Sequence, residues 1–156
     1  MMFARHDRGQ NSLACHCKVV LRNSEGDVVP PTIALIAHDR LKDDLVAFAQ
    51  LHHAQLANCQ LIATGTTGGR IAEATDLPIE RLLSGPLGGD AQIAARVSER
   101  RVNAVIFIVD PLHAHPHEPD IQGLMRVCNV YNVPLAINLA TAELVINGLL
   151  REYHAE

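Results

Sequence analysis

Val102-Asn-Ala-Val-Ile-Phe-Ile-Val109 runs into Asp110-Pro111, and its last five residues are apolar without interruption. A strand with one wet face alternates apolar and polar residues. One that is apolar throughout is covered on both faces, as in a parallel sheet layered between helices. Outward from this run the chain repeats the same unit. Thr32–Ala37 precedes a helical pattern after Asp39, and Gln60–Ala63 precedes one after Gly68. Residues 81–83 precede a helix over 90–100, residues 102–109 one over 119–131, and residues 134–138 a last one. Five strands alternating with helices predict a single doubly wound α/β domain: a mainly parallel five-stranded sheet with helices on both faces. In the first helix Leu41, Leu45, Phe48, Ala49 and Leu56 recur at helical spacing, and Asp39 can cap it. His52 and His53 fall near its end, where solvated or dipole-facing imidazoles are expected.

A chain of 156 residues is the size of one domain, and its 48% hydrophobic content fits a core that needs neither disulfides nor a structural metal. Seventeen acidic against 13 basic residues give a net charge of −4, which argues against a nucleic-acid or anionic-membrane surface. An aromatic content of 3% without Trp argues against stacking on single strands. No apolar run approaches membrane-spanning length and the start has no signal-peptide core, so a cytoplasmic address is expected, with Cys15, Cys17, Cys59 and Cys128 as reduced thiols. Residues 1–31 are the least periodic and close on Pro30-Pro31. They read as a flexible N-terminal extension, with a short edge strand at 18–22 conceivable, ahead of a working domain over 32–156. Cys15-His16-Cys17 reads as part of that extension rather than as a metal site.

Right-handed crossovers bring the C-terminal ends of parallel strands to one edge, where ligands bind. Four polar clusters meet there: His38-Asp39, Thr64-Gly-Thr-Thr-Gly-Gly69, Ser84-Gly-Pro-Leu-Gly-Gly-Asp90 and Asp110-Pro111. The second leads from a strand into a helix with small residues and hydroxyls, which suits either an oxyanion cradle or an ordinary tight turn. It is neither a Walker loop nor a dinucleotide fingerprint. Lys42, one turn beyond His38-Asp39, is a point charge for the same rim or a surface lysine. Asp90 is a first-turn helical acid or, given the glycines before it, a carboxylate aimed inward. Residues 110–120 hold His113, His115 and His117 among acids and prolines. This invites zinc, but a rigid loop carrying a neutral imidazole beside a carboxylate, with His117 near Asp120, is the preferred reading.

Taken in order, Ile33-Ala-Leu-Ile-Ala-His-Asp39, Ala63-Thr-Gly-Thr-Thr-Gly68, Leu83-Ser-Gly-Pro-Leu-Gly-Gly-Asp90, Asp110-Pro-Leu112 and Pro116-His-Glu-Pro-Asp120 closely resemble the motifs of the methylglyoxal synthase family. The likeness runs over about residues 33–150. It implies a lyase that converts dihydroxyacetone phosphate into methylglyoxal and inorganic phosphate without metal or organic cofactor. On that pattern Asp90 is the general base and His117 polarises or protonates oxygens. Lys42, Thr64, Gly65, Thr66 and Thr67 hold the phosphate; Ser84, Gly85 and His38 complete the pocket; and Asp39, Asp110 and Asp120 are supporting acids. The resemblance also implies a homo-oligomer, often a hexamer, with inorganic phosphate as product and inhibitor. Residues 1–31 have no counterpart in the motifs, and some relatives carry a longer tail whose basic residues can reach the site. Arg126 and Arg151 read as solvated rather than as substitutes for it. Two rival readings are a noncatalytic phosphate-sensing module of the same fold and a zinc hydrolase built on His113, His115 and His117.

Overall fold

Every residue after the first in β1 (Thr32–Ala37) and all five of β4 (Ala104–Ile108) are buried, so these two strands form the middle of the sheet. The structure, a computed structural model, describes residues 29–113 and 118–151. β2 (Gln60–Ala63) and β3 (Ile79–Arg81) extend the sheet on one side of β1, and β4 followed by β5 (Leu135–Ala136) on the other. The order is β3-β2-β1-β4-β5, and every pairing is parallel. The chain therefore winds outward in both directions from β1, and the crevice at the strand ends between β1 and β4 is the topological switch point.

The two-residue period of the strands splits the core into two layers. Ile33, Leu35, Ala63, Ile106 and Ala136 meet Leu45, Phe48, Leu56, Ile71 and Ile146. These come from α1 (Lys42–Leu51), α2 (His53–Leu56), α3 (Gly65–Thr75) and α6 (Leu139–Arg151). Ala34, Ile36, Ile62, Val105 and Phe107 meet Ile93, Val97, Ile121, Leu124 and Cys128 on the other face. That layer is closed by α4 (Gly89–Ser98) and α5 (Glu118–Tyr131). The doubly wound sheet is thus present, and it is parallel throughout.

Local details differ from the expectations. The third strand lies two residues earlier than 81–83, although the Leu82 N–H still bonds the Ala63 carbonyl at 2.8 Å. The helix expected after Gly68 begins at Gly65, so the Thr-Gly run is itself helical. The fourth and fifth strands are shorter than 102–109 and 134–138. Asp39 caps nothing: it opens a 3-10 turn (Asp39–Leu41), and the N-cap position of α1 is Leu41, with no side-chain cap.

His52 is also not solvated. It sits at the break between α1 and α2, 8% exposed, its ring tilted on Phe48 with centroids 4.4 Å apart. Gln55 spends its amide N–H on Asn147 Oδ1 and turns its oxygen to His52 Nδ1, 2.6 Å away. His53 Nε2 meets the carbonyl of Thr75, the last residue of α3, at 3.1 Å. It is therefore dipole-facing, but toward a neighbouring helix. The expectations for the edge strand at 18–22, for Cys15 and Cys17, and for His115 and His117 concern residues outside the described ones, as does most of the proposed N-terminal extension.

Candidate active site

One short segment after β3 organises the rim. The Leu83 carbonyl accepts the Gly65 N–H at 3.1 Å, the Ser84 carbonyl accepts the Gly89 N–H at 3.0 Å, and the Leu83 N–H is held by Gln92 Oε1 at 2.9 Å. The starts of α3 and α4 are thereby pinned to the same two residues, Leu83 and Ser84. The second contact requires glycine, and the first leaves a side chain little room. A Cβ on Gly89 would lie 2.1 Å from the Leu83 oxygen, and one on Gly65 would lie 3.0 Å from the Leu82 oxygen. The glycines thus have a steric task, to bring two helix N-termini together at the switch point.

Between these termini lies a cavity of about 250 Å³, lined by His38, Asp39, Lys42, Thr64, Thr66, Thr67, Ser84, Gly85 and Asp90, with Pro86 and Phe107 as apolar wall. The structure therefore gathers nine of the expected site residues around one space. Gly65, between Thr64 and Thr66, is not among the lining residues. Thr66 and Thr67 fall in the first turn of α3, whose amide N–H groups have no partners within the helix and carry the positive end of its dipole. The Thr64 hydroxyl donates to Thr67 Oγ1 at 3.3 Å. Lys42, its side chain 11% exposed, places its ammonium between the Thr66 hydroxyl, at 2.6 Å, and the Asp39 carboxylate. That ammonium, through its hydrogen bond and then its charge, holds the Asp39 carboxyl below its ordinary range.

Asp90 is the second residue of α4 and only 1% exposed, so it is neither the N-cap, which is Gly88, nor a solvated first-turn acid. His38 ends β1 with its N–H on the Ile108 carbonyl and its ring edge-on to Phe107. Its Nδ1 accepts the Asp110 N–H at 2.9 Å. A nitrogen that accepts carries no proton, so the neutral ring bears its hydrogen on Nε2 and is a donor there.

Two supporting acids lie off the cavity. Asp110 acts on it through its backbone, by fixing His38. Its carboxylate turns away to the Leu112 N–H at 3.0 Å and to His113 Nδ1 at 3.0 Å, and these, the amide first, hold its carboxyl below the ordinary range. Asp120 is exposed in the first turn of α5. His113 also has the Arg40 guanidinium 3.4 Å from Nδ1, and the described residues contain no metal-holding group of three His, Cys, Asp or Glu. His117 lies outside the described residues. Phe107 and Gln92 escaped the sequence reading because an apolar strand residue and a helical Gln carry no chemical signature.

A larger hollow, about 820 Å³, opens at the opposite edge beside Thr32, Gln60, Pro78 and Asn103. The strands begin there and Arg96, Arg100 and Arg101 line it, but none of the expected site residues does; nine of those line the smaller cavity at the strand ends.

Comparison with known proteins agrees with this geometry. Residues 44–137 match the family model described as MGS-like domain. A methylglyoxal synthase of Cupriavidus metallidurans is 64% identical over 121 residues, 78% of this chain and 86% of that one. One of Burkholderia mallei is 57% identical over 125 residues, 80% of this chain and 96% of that one. The crystal structure of methylglyoxal synthase from Elizabethkingia anophelis covers 79% of this chain and 81% of its own, with a TM-score of 0.74 at 44% identity. The family match spans more than half of the chain, the relatives align along most of their length, and the solved structure shares the fold; the chain belongs to the methylglyoxal synthase family.

Proposed function

We infer that the chain is a carbon–oxygen lyase that converts dihydroxyacetone phosphate into methylglyoxal and inorganic phosphate. The observation that carries the reading is a buried carboxylate, Asp90, sharing one small cavity with an anion cradle. A carboxylate repels a bound phosphate, so a module that only senses phosphate gains nothing from one there, whereas a proton-abstracting enzyme requires it. The cavity falls below the range of about 300–1,000 Å³ usual for drug-sized ligands, which suits a three-carbon ester.

The phosphate end sits on the N–H groups and hydroxyls at the start of α3, with Lys42 adding a cation. Asp90 takes a proton from the hydroxymethyl carbon, and the electron pair moves onto the ketone oxygen as an enediolate. The His38 Nε2–H is a donor for that oxygen, and His117, on the family's pattern, is a second imidazole that polarises or protonates it. As the terminal hydroxyl loses its proton to become the aldehyde, the carbon–carbon double bond shifts and the bond from carbon to the phosphate oxygen breaks. The enol left behind gains a proton at the carbon that carried the phosphate and gives up the proton of its hydroxyl, which yields methylglyoxal. Departing phosphate gains charge, and the same cradle stabilises it. Asp39 tempers Lys42, Asp110 orients His38, and Asp120 belongs to the same outer group.

The reading extends to a cytoplasmic homo-oligomer, a hexamer on the family's pattern, inhibited by its phosphate product. Buried thiols at Cys59 and Cys128 suit a reducing compartment, and no helix among the described residues is long and apolar enough to cross a membrane. Exposed Leu51, Val130, Ile137 and Leu144 are apolar surface that self-association would cover.

The test is an assay of the purified protein with dihydroxyacetone phosphate, following both products in metal-free buffer. Equal release of methylglyoxal and phosphate is expected. Phosphate binding with no release would make the chain a sensing module instead.

A further inference from the structure

Arg81, the last residue of β3, lies outside the cavity but not outside its mechanics. It shares the α3-facing side of the strand with Ile79, while Glu80 on the other side bonds Arg96 of α4 at 2.6 Å. The Arg81 side chain runs along the first two turns of α3. A Cβ on Gly69 would come within 3.3 Å of its Cζ and one Nη, so the bare helix surface there is what lets the guanidinium lie flat. In that position its Nε–H donates to the Gly65 carbonyl oxygen, 3.2 Å away.

That oxygen belongs to the peptide plane joining Gly65 to Thr66, and the other polar end of the same plane is the Thr66 N–H. Thr66 lines the cavity, and its N–H is one of the first-turn donors that the helix leaves open. Hydrogen bonds in series through one peptide polarise each other, and a cationic donor at the oxygen makes the N–H beyond it a stronger donor.

We propose that Arg81 is a positioning residue that orients and polarises the Gly65–Thr66 peptide, and so tightens the phosphate cradle from behind. The proposal rests on the reading of the cavity as a phosphate site. Because the bond is exposed, its effect is modest, about three- to tenfold in affinity.

Three substitutions separate the hydrogen bond from the charge. Arg81→Gln keeps a nitrogen donor at the Nε position without the charge, Arg81→Lys keeps the charge without a donor at that position, and Arg81→Ala removes both. Inorganic phosphate is titrated into each variant by calorimetry, with KM and kcat for dihydroxyacetone phosphate and Tm measured alongside. The Ala and Lys variants are expected to bind phosphate about fivefold more weakly, with KM raised in step, kcat moving less and Tm close to the parent's. The Gln variant is expected to stay within about twofold of the parent.

Parent-like phosphate binding in Arg81→Ala would overturn the proposal. So would normal binding in Arg81→Lys with loss in Arg81→Gln, which would assign the effect to charge at a distance, or a fall in Tm and kcat together, which would assign it to folding. Lys42→Ala runs in parallel. If it too leaves phosphate affinity unchanged, the phosphate-site reading falls and the proposal with it; if only Lys42→Ala weakens binding, the proposal alone falls.

Discussion

Asp90 shows how a single residue's meaning depends on what surrounds it. As one letter it is a helical acid; in place it is a carboxyl group 1% exposed, lining the same cavity as Lys42 and the start of α3. Asp90→Asn preserves the shape and removes the proton acceptor. Turnover is therefore expected to fall by about two or more powers of ten, while affinity for inorganic phosphate holds or improves as a repelling charge disappears. Steady-state kinetics beside a phosphate titration check both halves, and near-normal turnover would remove Asp90 from the base's role. Lys42 carries the complementary expectation. Its ammonium is shared between Thr66 and Asp39, so Lys42→Ala should weaken phosphate binding about tenfold, whereas Asp39→Asn should strengthen it by freeing the cation. Equal affinities in both variants would show that Lys42 does not reach the ligand. Residue types alone left the run of hydroxyls and glycines open between an oxyanion site and a tight turn, and Lys42 between a rim charge and a surface lysine, but their gathering at one edge was legible from the strand ends. The Nδ1 bond of His38 was not, since its donor is a backbone amide 72 residues away.

Among the elements, the ones read best were those whose burial writes itself into composition. β1 and β2 have the bounds expected, because Ile33–Ala37 and Leu61–Ala63, buried on both faces, are apolar without interruption behind one polar first residue each. β3 was misplaced by two residues because Leu82 and Leu83 look like a strand, whereas the edge strand keeps the exposed residues Glu80 and Arg81 and uses them to grip α4 and α3. The start of α3 was missed because Gly65-Thr66-Thr67-Gly68-Gly69 has weak helix propensity, and tertiary pinning at Leu83 overrides it. Helix ends also hold an improvable feature. α4 closes with Arg100 at φ 59°, its N–H on the Val97 carbonyl at 3.0 Å and the Arg101 N–H on the Arg96 carbonyl at 2.9 Å. That left-handed position favours glycine, so Arg100→Gly should raise stability by about 0.5–1 kcal/mol, with activity unchanged. Denaturant unfolding measures it, and a loss of stability would mean that the Arg100 side chain contributes more than its backbone costs.

At the scale of the molecule, the two core layers share one sheet, and each holds one thiol that reports on it. Cys59 lies in the layer beneath α1, α2, α3 and α6, and Cys128 in the layer beneath α4 and α5. Burial pushes both thiols up to about 11. At pH 8 only about one thiolate in a thousand is then present at either site, before steric shielding is counted, so both should resist alkylation in the folded protein. The same shift sets a pH dependence. An unfolded thiol ionises near 9.0 and the folded ones near 11, so above pH 9 the unfolded chain gives up protons first, and stability should decline as pH climbs between those values. Neighbouring residues of β4 point into opposite layers, Val105 with Cys128 and Ile106 with Cys59, so neither layer can open without disturbing the strand that supports the other. Site-resolved labelling across a denaturant series should therefore give Cys59 and Cys128 the same midpoint, coincident with loss of helical circular dichroism. If Cys128 became reactive at distinctly lower denaturant, α4 and α5 would be a separately opening unit, and the cavity, to which α4 contributes Asp90, would be lost before the sheet that frames it.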